Sequence, residues 1–160
     1  MGLADDDSLA FPDIERRHLR ARWLPDFDWV VEDAPSPRTA LTRPLREARV
    51  GLLSTAGAHP TGSPPLGASG RAVVIDAGAE VTLTHPGYDT ERAGADIDVV
   101  HPVRSLLSLA AAGDIGELAP LVCSTMGGTL IGSRVVDRGI PTAVAWARDQ
   151  QLDLALLVPA

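Results

Sequence analysis

The reading of residues 81–128, VTLTHPGYDTERAGADIDVVHPVRSLLSLAAAGDIGELAPLVCSTMGG, decides the fold. Short runs rich in Val and Leu alternate there with helical spacing and polar turns, the pattern of parallel strands joined by crossovers. It predicts a strand over 81–84, a polar turn, a strand over 96–100, a helix opened by Pro102 and running to Ala112, and a strand over 121–125. Proline suits a first helical turn, where its missing N–H costs nothing. Leu106, Leu107, Ala110 and Ala111 supply the apolar face, and Gly113 ends the helix. Polar residues gather where the strands finish: His85, Tyr88 and Asp89 after one, Cys123, Ser124 and Thr125 at another. Ligands of open α/β sheets sit outside the carboxyl ends of the strands, so the site is expected there.

Working outward, residues 49–55 read as a first strand, apolar at Val50, Leu52 and Leu53 and ending on Ser54 and Thr55. A loop with four glycines and three prolines fills 56–70, a length that in a compact domain points to function or disorder. A strand follows over 71–76. Val135, Val136, Ala143, Val144 and Ala147 give 133–150 a helical pattern. Gly139 to Pro141 interrupts it, so two pieces are expected, 133–138 and one starting at Pro141. Residues 152–158, LDLALLV, complete the pattern as a buried strand. The fold class is α/β, a doubly wound, flavodoxin-like and mostly parallel sheet of about five strands, with an N-terminal arm. The arm and linker occupy residues 1–43 and the α/β domain residues 44–160. Within the arm, residues 1–10 read as a frayed tail and 11–31 hold a short helix ended by Pro25. Trp23, Phe27 and Trp29 suit packing on the domain's flank or anchoring on another subunit. Pro35 and Pro37 extend the linker.

Composition excludes several classes. A formal charge of -7 leaves no basic surface to displace counterions, which argues against nucleic acid. All 14 cations are arginine, so no lysine can form a Schiff base. The single cysteine allows no internal disulfide and no C-x-x-C pair. The acidic opening MGLADDDSLAF is unlike a signal peptide, and no apolar run would span a bilayer. The expectation is a cytoplasmic protein without nucleic-acid or membrane partners.

Several motifs carry a family resemblance. THPGYD at 84–89, ADIDVVHPV at 95–103, GDIGELAP at 113–120 and the S-x-M-G turn from Ser124 to Gly127 resemble the selenoprotein B family of glycine, sarcosine, betaine and D-proline reductases. PLREARVGLLSTAGAH at 44–59 resembles that family's opening strand and its T-x-G-x-H turn. The likeness spans residue 44 to the C-terminus, with the motifs in order. It implies reductive C–N cleavage, in which a selenolate or thiolate attacks the carbon bearing the amine and thiol carriers supply electrons. It implies a substrate site at Thr55, Tyr88, Asp89, Ser124, Met126, Gly127 and Gly128. In the family the strand matching LDLALLVPA leads into a selenocysteine two residues before a cysteine. The sequence reaches Ala160 where that motif would begin. The implied arrangement is a second protein chain completing the site, in a heteromer, or different chemistry through this chain's own residues. Cys123 stands where the family has an aromatic residue, His101 where it has an apolar one, and Asp98 where it tends to have asparagine.

Three residues are candidates for catalysis: Cys123, His59 and His85. A thiol at a strand end near a helix N-terminus would have a lowered pKa and could act as nucleophile. Two histidines with that thiol would also suit a transition metal such as Zn, Fe or Cu. Against these stand blander roles: a small buried core residue for Cys123, loop hydrogen bonding for the histidines, and helix capping for Asp89. The glycine turn of STMGGTLIGS, 124–133, could offer free amides to a carboxylate or phosphate. It lacks the lysine of a P-loop, because Ser133 stands there. Three functional classes remain. One is a subunit of a heteromeric oxidoreductase acting on a small amino-acid-like substrate. Another is a metal-dependent enzyme subunit of specialised metabolism. The third is a non-catalytic binding or scaffold subunit, heteromeric or homodimeric.

Overall fold

The structure, a computed structural model, describes residues 39–129 and 131–160 and, before them, residues 17, 20–23, 25, 26 and 35. The chain divides into two units, residues 1–37 and 38–160. In the first, Ala21–Trp23 forms a single turn of helix. The remainder of the helix expected within 11–31, with Phe27 and Trp29, lies outside the described residues.

The second unit is built on β1 (Arg49–Ser54), whose Val50 and Leu52 are 2% and 0% exposed. Burying each such side chain contributes about 1.5–3 kcal/mol. β7 (Leu154–Val158) lies parallel along one edge of β1, from Val50 opposite Leu154 to Ser54 opposite Val158. The other edge takes β5 (Glu117–Leu118) at its start and β6 (Leu121–Thr125) at its end, both parallel. Leu118 faces Val50 but Cys123 faces Leu53, so two extra residues are accommodated at Ala119 and Pro120. This is a bulge in one interrupted strand, placed where Pro120 cannot donate to a ladder. β3 (Ala72–Asp76) closes that side, antiparallel to β6. The sheet is therefore mainly parallel with one antiparallel edge. A separate two-stranded ladder joins β2 (Ala58–Pro60) to β4 (Val81–Leu83), with His59 opposite Thr82.

Helices cover both faces. Alternate residues of β1 point to opposite sides. On one side Val50 and Leu52 enter a core with Ile75, Ile115, Leu118, Val122 and Leu106, the last from α2 (Val103–Ala112). On the other, Gly51 leaves room for α3 (Gly132–Asp149): a Cβ at Gly51 would lie 2.8 Å from the Trp146 ring. Trp146 is 4% exposed, and its indole N–H donates to the Leu121 carbonyl at 2.9 Å. The α/β fold expected from the pattern is present.

Three local expectations are corrected. Residues 96–100 do not form a strand; Ile97–Val99 is a turn of 3-10 helix. The reason is Asp98, whose carboxylate accepts from the Arg104 amide at 3.0 Å and from the Ser105 amide at 2.7 Å, capping α2. Capping needs a turn before the helix, and that turn takes the residues the apolar pattern assigned to a strand. The second correction is α3, which is continuous through Pro141. Its path is fixed from outside: Arg134 and Arg138 donate to the Ala68 and Ser69 carbonyls at 3.0 and 3.4 Å. Gly139 lets the Gly70 carbonyl come within 2.7 Å of where a Cβ would stand. Packing of this kind outweighs the loss of one helical N–H. The third is β4, which pairs with β2 and not within the main sheet. α1 (Thr90–Ala95), capped by Asp89, completes the elements of this unit.

Residues 152–158 were expected to form a buried strand, but Leu154, Leu156 and Leu157 of β7 are 42%, 40% and 64% exposed, and among the described residues β7 pairs with β1 alone. No helix among the described residues is long and apolar enough to cross a membrane.

Candidate functional site

Loops from β1, β4 and β6 converge beyond the carboxyl ends of β1, β6 and β7. Gly57 is the crossing point. Its N–H donates to Thr125 at 2.9 Å, and its carbonyl accepts from Thr84 at 3.2 Å. It adopts φ +70°, and a Cβ there would stand 2.2 Å from the Thr84 oxygen, so glycine is required. Tyr88 ties the β4 loop back to β1, donating from its hydroxyl to the Ala56 carbonyl at 2.7 Å. Burial pushes the Tyr88 hydroxyl pKa up, keeping it a donor. Thr55 holds position 160: its Oγ1 accepts from the Ala160 N–H at 2.8 Å and donates to the Ala160 carbonyl at 3.2 Å.

Next to these loops lies a cavity of about 610 Å³ lined by Tyr88, Asp89, Arg92, Ala93, Val99, Val100 and Ala160. That volume is in the range of small-molecule sites. Ser54 fixes one wall, donating from Oγ to the Val100 carbonyl at 2.6 Å. Of the residues expected at the site, Tyr88 and Asp89 line the cavity, while Thr55, His85, Met126, Gly127 and Gly128 shape the loops beside it. Asp89 Oδ1 accepts from the Glu91 and Arg92 amides at 3.1 and 3.0 Å, so it caps α1 and does not orient His85.

Two of the glycine-turn amides expected to receive an anion are already engaged. The Gly127 amide donates to the Thr55 carbonyl at 2.9 Å and the Gly128 amide to His85 Nε2 at 3.1 Å. His85 also faces the Gly87 amide, 2.9 Å from Nδ1. Burial lowers the His85 pKa and so favours the neutral imidazole, which can accept from only one of these two amides. They also leave no open nitrogen for a metal.

His59 and Cys123 sit elsewhere. His59 is 5% exposed and its ring lies between the end of β4 and its own loop, with Nε2 3.1 Å from Thr84 Oγ1 and Nδ1 3.3 Å from Ser63 Oγ. Cys123 is fully buried in β6, and burial pushes its thiol pKa up to about 11, the opposite of an activated thiol. Among the described residues no group of His, Cys, Asp and Glu is arranged to hold a metal. The set His59, His85 and Cys123 is therefore not assembled as ligands, and Cys123 is not a surface nucleophile. Ser124 is fully buried beside it, its Oγ without a partner among the described residues. His101 is 3% exposed, on a smaller cavity of about 130 Å³ shared with Asp98 and Asp76.

Sequence reasoning missed Arg92, Ala93, Val99, Val100 and Ala160. One signal was readable: Asp89 is a capping residue type, and Arg92 follows it within the first turn of the helix it caps.

The fold and cavity define an α/β domain with a ligand-sized recess at the strand carboxyl ends. A search of curated proteins finds D-proline reductase subunit gamma of Acetoanaerobium sticklandii, 27% identical over 128 residues. The match takes in 77% of this chain and 53% of that protein, so the chain spans about half the length of the curated relative it matches. At this distance the chain is similar to a reductase subunit. No family model matches the chain. No solved structure matches it significantly.

Proposed function

We propose that this chain is a subunit of a reductase that acts on a small amino-acid-like substrate, with a partner chain completing the site. The observation that carries the proposal is the cavity itself. It is built at the strand carboxyl ends by the loops whose motifs resemble the reductase family, and Ala160 is held on its rim. The substrate binds there, and the C–N bond breaks as a thiol pair gives up two electrons and becomes a disulfide. This chain's one thiol is sealed in the sheet, so the attacking group belongs to the partner. The similarity to a subunit of D-proline reductase supports the same reading.

The test is purification of the untagged protein from its own host, native mass spectrometry, and an assay of D-proline, glycine, sarcosine and betaine consumption with dithiothreitol as reductant. The expected result is a heteromer whose second chain carries a reactive thiol or selenol and which consumes one of the four. A homomer, or a heteromer that consumes none of them, overturns the proposal.

A further inference from the structure

We infer that Arg92 and Asp89 form the polar clamp of the cavity, Arg92 taking the substrate's carboxylate and Asp89 its ammonium group. This rests on the proposed amino-acid-like substrate and assigns which residues select it. The glycine-turn amides, the obvious anion donors, are committed to Thr55 and His85. Among the described residues, Arg92 is then the one cation lining the cavity. Its guanidinium has no ion pair or hydrogen bond among the described residues, although Arg43, Arg46, Arg49 and Arg104 are all paired. A planar guanidinium suits a carboxylate because it can donate two parallel N–H bonds.

Asp89, the N-cap of the same helix, lines the same cavity. Its Oδ1 is held by the Glu91 and Arg92 amides, which fixes the carboxylate and leaves Oδ2 for a cation. Ala93, Val99 and Val100 supply an apolar wall between the charges and the sheet. Opposite charges on one lip and an apolar wall match an α-amino acid with a small aliphatic body. An uncharged amide or a plain amine matches less well.

The experiment is amide chemical-shift titration of the isotope-labelled full chain with three probes. D-proline carries both charges, D-prolinamide lacks the carboxylate, and tetrahydrofuran-2-carboxylate lacks the amine. Wild type is expected to bind D-proline at least tenfold more tightly than either analogue, with shifts at Ala93, Val99 and Val100. Arg92→Gln is expected to lose the preference for D-proline over D-prolinamide, and Arg92→Lys to regain part of it. Asp89→Asn, which still caps the helix, is expected to lose the preference over tetrahydrofuran-2-carboxylate. Unchanged amide spectra of the free variants establish that each is folded. If Arg92→Gln keeps the full preference while D-proline still shifts the cavity residues, the clamp is wrong and the substrate reading stands. If no probe shifts the cavity residues of wild type, both fall.

Discussion

Replacing Gly57 with alanine tests whether the site is held by backbone geometry. Gly57 lies at φ +70°, where an L side chain costs about 1–2 kcal/mol. The new Cβ would stand 2.2 Å from the Thr84 carbonyl oxygen, a backbone atom that cannot swing aside. Relief requires the 84–89 loop to retreat, which breaks the 3.2 Å bond from the Thr84 amide to the Gly57 carbonyl. That loss adds about 0.5–1.5 kcal/mol. The sum is about 2–3 kcal/mol, or a Tm drop of roughly 6–15 °C for a unit of this size. Gly62 is the control, because it has φ +83° but nothing within 4 Å of its Cβ position. Gly62→Ala should show the conformational cost alone. Urea unfolding of both variants at pH 7.5 gives the difference directly. Gly57→Ala should also displace Tyr88 from Ala56 and abolish ligand shifts in the cavity. If the two variants are equally stable, the Gly57–Thr84 contact does not hold the loop and the reasoning fails.

Three further predictions follow from the same geometry. Cys123, with a pKa near 11, is about one-thousandth thiolate at pH 8 and fully buried. It should resist iodoacetamide in the native protein and label quickly in urea, and fast native labelling would place it at the surface after all. Asp98→Ala removes the cap of α2 and should cost about 1–2 kcal/mol in denaturant unfolding, whereas Asp98→Asn recovers part of that; a neutral alanine variant refutes the capping role. Acid should weaken the fold in two stages. Burial lowers the His85 pKa, and burial against an opposing pull from Asp98 lowers that of His101. The unfolded chain therefore takes up these protons first, and stability falls as pH drops below about 6.5. Burial alone would raise the Asp98 pKa. Hydrogen bonds from Ser105 and Arg104 and the Arg104 charge lower it overall, so its contribution persists until pH passes below the ordinary carboxylate range. Urea midpoints between pH 8 and 3 check this, and a midpoint flat from pH 8 to 5 contradicts the first stage.

Most of the frame was legible because it rests on periodicity. The apolar runs over 49–54, 72–76, 121–125 and 154–158 became strands, and the Leu106 helix ends at Gly113 with φ +79° as its composition requires. The failures have two causes, a local cap that overrides an apolar pattern and contacts distant in sequence. IDVV alternates like a strand, but Asp98 gains more by capping a helix that starts five residues later. Pro141 reads as a break, yet α3 is anchored by carbonyls about seventy residues upstream, a distance no local window covers. Of the residues singled out by motif, Tyr88 and Asp89 line the cavity. Cys123 was read as a strand-end thiol and is fully buried, a matter of what packs on the sheet face that strand position alone does not carry. Arg92 escaped notice because its proposed role comes from having no side-chain partner among the described residues, which a sequence does not show.

The outer edge of β7, unpaired among the described residues, bears on how the protein can be handled. Leu-Ala-Leu-Leu-Val carries no charge and no proline, the two devices that usually stop one strand from templating another. Stacking of such segments between molecules would start from the native fold and would need no unfolding. The isolated chain should therefore lose solubility with a steep dependence on concentration, at temperatures where its core is intact. Its working limit in the test tube is then set by crowding among neighbours more than by heat.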